Sequence, residues 1–396
     1  MLRLSMAVLC AALVLAPMAR AADWPACGRV DVYPSADWPA ARGWNAQRLD
    51  AARRVFEGQD SAALVVLHRG RLVAAWGAPE TRYTAQSVRK ALLNSLVGLE
   101  VAGGRLRLDA SLADLDIDDD PPLTPSERRA TVRDLLMSRS GIFHSALYEV
   151  GGWTRARRTL VERERASGRD LYGPGDYWVY NNWDFNALGT IVERAAGEEI
   201  GPLFARRVAA PIGMQDFRAE DVEYTTRDHP AERRFGNASD HRAYVFNIST
   251  RDLARYGLLY LGCGRWGRRQ IVPRDWVLAS IDGRDTREGR AEDERETGFD
   301  RYGYLWQVDL PETGRYGLGL RTPYYIATGS RGHVLFVFPG LDLVIAHQVA
   351  TVGGVSAEAQ QRRATRGTPE VTDAQIAQLV TAIIAAHPRA RRAFAH

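Results

Sequence analysis

Lysine is almost missing from this chain: of 396 residues, 52 are lysine or arginine, and only Lys90 is lysine. Arginine pairs with carboxylates and solvates surfaces, but with a pKa above about 12 it keeps its proton inside a protein. Other absences narrow the chemistry further. Three cysteines (Cys10, Cys27 and Cys263), with no clustered Cys/His pattern and no His-Glu-x-x-His, argue against a metal hydrolase. Neither a Gly-x-Ser-x-Gly elbow nor a glycine-rich phosphate loop is present, which argues against an α/β-hydrolase and a nucleotide enzyme. Net charge is only +4, and no arginine run is interleaved with aromatics, so nucleic acid is not an expected partner. No cofactor is expected.

The N-terminus reads as an export signal over residues 1–21. Met1-Leu-Arg3 is followed by an apolar run from Leu4 to Pro17 and by Ala19-Arg-Ala21 as a small-residue cleavage site. The run is too short for a transmembrane span. Ala7-Val-Leu-Cys10 lacks the small residue expected before a lipidated cysteine, so no membrane anchor is expected after cleavage. The expected location is periplasmic or secreted. Cys27 and Cys263 remain in the mature chain; in an oxidising compartment they can pair, and two unpaired buried thiols fit the sequence equally well.

Apolar spacing predicts a helix over 45–60, strands over 62–68 and 71–76, and a helix from near Ser87 to the Gly103-Gly104 break. Helical patterns follow at 131–137, 183–196, 201–210 and 250–261. Strand patterns return at 302–308, 324–328, 333–338 and 343–349, and an amphipathic helix covers 372–386. Strands at both ends with helices between predict a discontinuous α/β sheet domain (22–95 and 296–390), an inserted all-helical domain (96–295) and a tail (391–396). The charged stretch 282–300 reads as a solvated loop. The acidic run from Asp114 to Asp120 fails the calcium-loop pattern, with Asp119 at the sixth position and Pro125 at the twelfth.

Lys90 lies three residues after Ser87, so on a helix the two side chains meet over one turn. A lysine amine, with a reference pKa of about 10.4, becomes a usable base when desolvated or placed near positive charge. The chemistry this points to is activation of Ser87 as a nucleophile. If Ser87 opens the helix, the unpaired amides there favour negative charge on its oxygen. Tyr180 and Asn182 stand at a polar step after the Pro174-Gly175 turn: a phenol can relay a proton, and an amide can hold a lysine and a substrate carbonyl. At the strand end Ala327-Thr328-Gly329-Ser330-Arg331-Gly332-His333, the glycines permit close backbone approach and the Ser330 amide is a candidate oxyanion donor.

Ser87-x-x-Lys90, Tyr180-x-Asn182 and Ala327-Thr-Gly-Ser330, in that order, resemble the three motifs of the penicillin-recognising serine hydrolases. The likeness is to class C β-lactamases and their esterase and amidase relatives. Thr131 to Gly141, Pro211 to Met214, Ser249 to Gly257 and Tyr302 to Trp306 look like segments of 6-aminohexanoate-dimer hydrolase-like members. The resemblance implies a β-lactamase/transpeptidase-like fold, a mainly antiparallel sheet flanked by helices with a helical insertion. It implies Ser87 as the acylated nucleophile, with Lys90 and Tyr180 as base and proton shuttle in an order left open. Asn182 would orient substrate and lysine, and the amides of Ser87 and Ser330 would form the oxyanion hole. The expected substrate is a small ester or amide. Ala327 departs from the family, which usually has lysine or histidine there to meet a substrate carboxylate; Arg331 is the candidate replacement, alongside a plain role as a turn residue. A β-lactamase or D,D-peptidase, or a non-turnover sensor, are the alternative readings. His144 and His333 are rim candidates that read more simply as structural histidines.

Overall fold

The structure, a computed structural model, describes residues 27–149, 170–286, 300–310, 314–351 and 370–394. The expected export signal, most of the 282–300 loop and the end of the tail lie outside the described residues. Helix α1 (Ala46–Glu57) starts at Asn45, whose side chain accepts from the Arg48 amide. It leads into strands β1 (Ser61–His68) and β2 (Arg71–Gly77), joined by a turn in which Arg69 and Gly70 both take positive φ. Strand β3 (Arg82–Thr84) and helix α2 (Arg89–Ala102) follow, then α3 (Val132–Leu136) and α4 (Asn182–Ala196). Strands β4 (Val222–Thr225) and β5 (Ala243–Ser249) precede helix α5 (Thr250–Leu261). Short strands β6 (Arg284–Asp285), β7 (Arg301–Tyr302) and β8 (Gln307–Asp309) come next. Strands β9 (Tyr324–Gly329), β10 (His333–Phe338) and β11 (Leu343–Val349) follow, then helix α6 (Asp373–Ala385) and a last short turn of helix at Ala390–Ala393.

Eight strands form one antiparallel sheet in the order β2-β1-β11-β10-β9-β8-β7-β6. Its central strands are buried on both faces, which is why they read as continuous apolar runs rather than alternating ones. Leu64, Val66, Phe336 and Ile345 pack with Phe56 of α1 and with Leu379 and Ile383 of α6. Val65, Leu67, Leu335 and Val344 face the opposite core, shared with α2, α4 and α5. The expected sheet flanked by helices is therefore the observed architecture.

Within 96–295 the structure corrects the all-helical reading. Strand β5 pairs with β3 and β4 in a separate three-stranded sheet, and β6 joins the main sheet. The reason is local: Ala243-Tyr-Val-Phe-Asn-Ile-Ser249 is rich in β-branched and aromatic residues that favour a pleated surface. Helix α5 lies directly on the main sheet. A Cβ at Gly257 would stand only 2.6 Å from Val344 Cγ1 and 2.7 Å from Leu335 Cδ1, so the close approach requires glycine. Cys27 and Cys263 form a disulfide with a Cα–Cα distance of 5.4 Å, tying the start of the described chain to the end of α5.

Candidate active site

Ser87 does not open α2 directly. It lies in a single 3-10 turn, Gln86–Val88, that feeds the helix, and Gln86 before it takes φ 53°. A left-handed backbone at a non-glycine residue costs about 1 kcal/mol or more and persists only where surroundings enforce it. The enforcing neighbour is the end of β9. A Cβ at Gly329 would lie 2.8 Å from the Ala85 carbonyl oxygen and 2.8 Å from Gln86 Cβ, so only glycine lets the strand end close on this turn. The Gln86 side chain then bridges two segments, accepting from Tyr148 Oη at 3.1 Å and Ser330 Oγ at 3.3 Å.

Lys90 follows one turn later, as the spacing predicts. Its Nζ is 2.9 Å from Ser87 Oγ and 2.5 Å from Tyr180 Oη, and it sits over the rings of Tyr180 and Phe185 at 4.5 and 4.7 Å from their centroids. Lys90 is only 3% exposed, whereas Ser87 is partly open to solvent. Burial drives the Lys90 pKa well below the ordinary lysine value; the neighbouring Arg89 adds to this and Glu149 opposes it. Burial likewise raises the Tyr180 phenol, with Ser87, Arg89 and Arg315 pulling the other way. Both groups are therefore held toward their neutral forms beside a reachable hydroxyl.

The remaining predicted residues divide. Thr328, Gly329 and Ser330 lie at the same end of the sheet as Ser87; Thr328 Oγ1 donates to Gln307 Oε1 at 3.0 Å. Asn182, expected to orient substrate and lysine, is the first residue of α4, and its Nδ2 donates to Glu149 Oε1 at 3.2 Å. Arg331 takes φ 71° and turns toward Glu370, 3.9 Å away, so it is occupied by an ion pair at the turn. Ala327 is buried in the core opposite Leu335. His144 and His333 are buried structural residues: His144 contacts the carbonyls of Ser145 and Pro121, and His333 Nε2 is 3.1 Å from Thr351 Oγ1. Asp119, from the acidic run, accepts from Trp183 Nε1, Ser239 Oγ and the Asp240 amide, a structural pin. The sequence reading missed Gln86, Arg89, Tyr148 and Glu149. Gln86 adjoins the serine motif and Arg89 lies within it, and that proximity is the one signal available for them.

The beta-lactamase family profile matches residues 51–368. Several solved structures share the fold. One is a Bacillus anthracis protein described as a 6-aminohexanoate-dimer hydrolase, with TM-score 0.59, 18% identity and coverage of 92% of this chain and 89% of that one. A penicillin-binding protein homologue from Pyrococcus abyssi, described as octameric, gives TM-score 0.56 and 18% identity, covering 87% and 78%. A class C beta lactamase from Rhodobacter sphaeroides gives 0.53 and 17%, covering 86% and 99%. No curated protein matches the sequence. With four-fifths of its length inside that family profile and the profile's fold around Ser87 and Lys90, the chain belongs to the beta-lactamase family, whose members are serine hydrolases.

Proposed function

We propose that this protein hydrolyses a small ester or amide through an acyl-enzyme on Ser87. The observation that carries the reading is the buried Lys90 amine, 2.9 Å from Ser87 Oγ and 2.5 Å from Tyr180 Oη. In this scheme neutral Lys90 accepts the Ser87 proton as Oγ attacks the carbonyl carbon, and the carbonyl oxygen becomes an oxyanion. The amides of Ser87 and Ser330 are assigned to that oxyanion. Tyr180 donates its proton to the departing alkoxide or amine and is reprotonated from Lys90. Water then attacks the acyl carbon, losing its proton to the same pair, which returns it to Ser87 Oγ as the acyl–oxygen bond breaks and the acid leaves.

The test is an activated short-chain ester given to pure protein, with intact mass and peptide mapping as readouts. Turnover with a transient acyl adduct on Ser87 is expected; neither adduct nor turnover sinks the proposal. A burst of acylation without release would revive the sensor reading. The β-lactamase or D,D-peptidase alternative is disfavoured by Ala327 in the buried strand and by Arg331 facing Glu370. Rapid hydrolysis of a chromogenic cephalosporin would reverse that ranking. A periplasmic or secreted location belongs to the proposal, supported by the signal-like N-terminus and by the Cys27–Cys263 disulfide. Its check is whether the exported protein begins at Ala22.

A further inference from the structure

Arg89 is a fully buried guanidinium next to Lys90 in the chain. Its Nη2 donates to Asn186 Oδ1 at 3.0 Å, and its charge lies 4.3 Å from the Tyr244 ring centroid and 5.6 Å from that of Tyr148. Its Nε and Nη1 meet no acceptor, and among the described residues no carboxylate pairs with it. A buried arginine without a carboxylate is costly, and two aromatic faces offset only part of that cost. Asn186 and Phe185 are neighbours on α4, so the guanidinium on Asn186 and the Lys90 amine, 4.7 Å from the Phe185 ring centroid, face consecutive residues of one helix.

We propose that Arg89 is a positioning residue whose buried, carboxylate-free guanidinium adds to burial in holding the Lys90 amine in its neutral form. The charged and titratable groups around the pair fit this assignment. Glu149, from the loop before α4, is the opposing charge. Burial displaces the phenols of Tyr180, Tyr244 and Tyr302 upward, so they bring no charge to the pair. Arg315 adds positive charge near Tyr180. Arg89 and Lys90 thus divide the two properties of a basic residue: one holds a permanent charge, the other gives its charge up. As a role in catalysis this rests on the serine-hydrolase reading, but its test does not.

Because the chain has one lysine, protein labelled with 13C at the lysine ε-carbon shows a single ε-carbon signal, whose pH titration reports Lys90 alone. Arg89→Met should raise the Lys90 midpoint by about one pH unit, the size expected for removing a nearby like charge. Arg89→Gln also removes the charge while leaving a polar group to meet Asn186, and should move the midpoint in the same direction. It decides the matter if Arg89→Met fails to fold. An unchanged or lowered midpoint in a folded variant overturns the proposal. Where turnover is measurable, the acid limb of its pH profile should move up by the same amount. If the wild type never acylates while the midpoint moves as stated, the hydrolase reading fails and the role of Arg89 stands.

Discussion

Two buried pairs in this molecule place an ionisable group against a tyrosine, and they have opposite fates. Lys90 meets Tyr180 beside Ser87, and Asp309 of β8 accepts from Tyr324 Oη at 3.0 Å at the start of β9, the strand whose other end carries Thr328 to Ser330. Burial holds the lysine toward its neutral form in the first pair and pushes the Asp309 carboxyl up to about 7 in the second, where the charge of Asp300 adds to the effect. Asp309 is fully enclosed, with Asp309 Cβ only 2.6 Å from where a Cβ on Gly314 would sit. Ser87 stands partly open to solvent. Desolvation therefore makes a displaced pKa near both ends of one strand, and of the two pairs only Lys90 and Tyr180 have a partly exposed hydroxyl, Ser87, beside them.

That contrast can be broken in four ways, from the largest expected effect to the smallest. Ser87→Ala should abolish acylation, a loss of roughly 10⁴-fold or more in turnover, read by intact mass after ester treatment; a persisting adduct would place the nucleophile elsewhere. Lys90→Arg replaces a neutral amine by a permanent charge and removes the base, so turnover should fall about 10³-fold; survival of activity on the best substrate would show that the amine is not the base. Tyr180→Phe should cost about 10²-fold, and more on substrates with poor leaving groups than on activated esters, a split that separates proton delivery from packing. Asp309→Asn should leave turnover unchanged and alter stability only. Because the folded pKa of Asp309 lies above its unfolded value, its protonation supports the fold at low pH, and that support is lost as pH rises from about 4 to about 7. The variant should therefore match the wild type near pH 4 and exceed it by about 4 kcal/mol at pH 8. Equal denaturation midpoints at both pH values would mean that Asp309 is better solvated than its enclosure suggests.

The part of the site legible in the sequence is the part set by helical and strand spacing. Ser87 and Lys90 meet because i and i+3 share a face, and β9 to β11 were readable because both faces of the sheet are covered. What stayed hidden depends on approach between distant segments. The positive φ of Gln86 follows from β9 pressing on it, and the buried state of Arg89 follows from Tyr244 and Asn186 closing over it. The turn of Asn182 toward Glu149 likewise needs the loop before residue 150 to be in place. Strand β5 was passed over because the helical patterns on either side of it dominate the window, although its own composition favours a sheet.

The contact between Gln86 and Ser330 spans 244 positions of chain. Synthesis delivers the serine motif early and the strand that completes its surroundings late, so a growing polypeptide carries Ser87 and Lys90 for most of its manufacture without β9 against them. Loop closure over such a distance is among the last contacts a chain makes. If Ser87 is the nucleophile proposed above, its reactivity belongs to the finished molecule, and a covalent serine probe doubles as a stopwatch for its maturation.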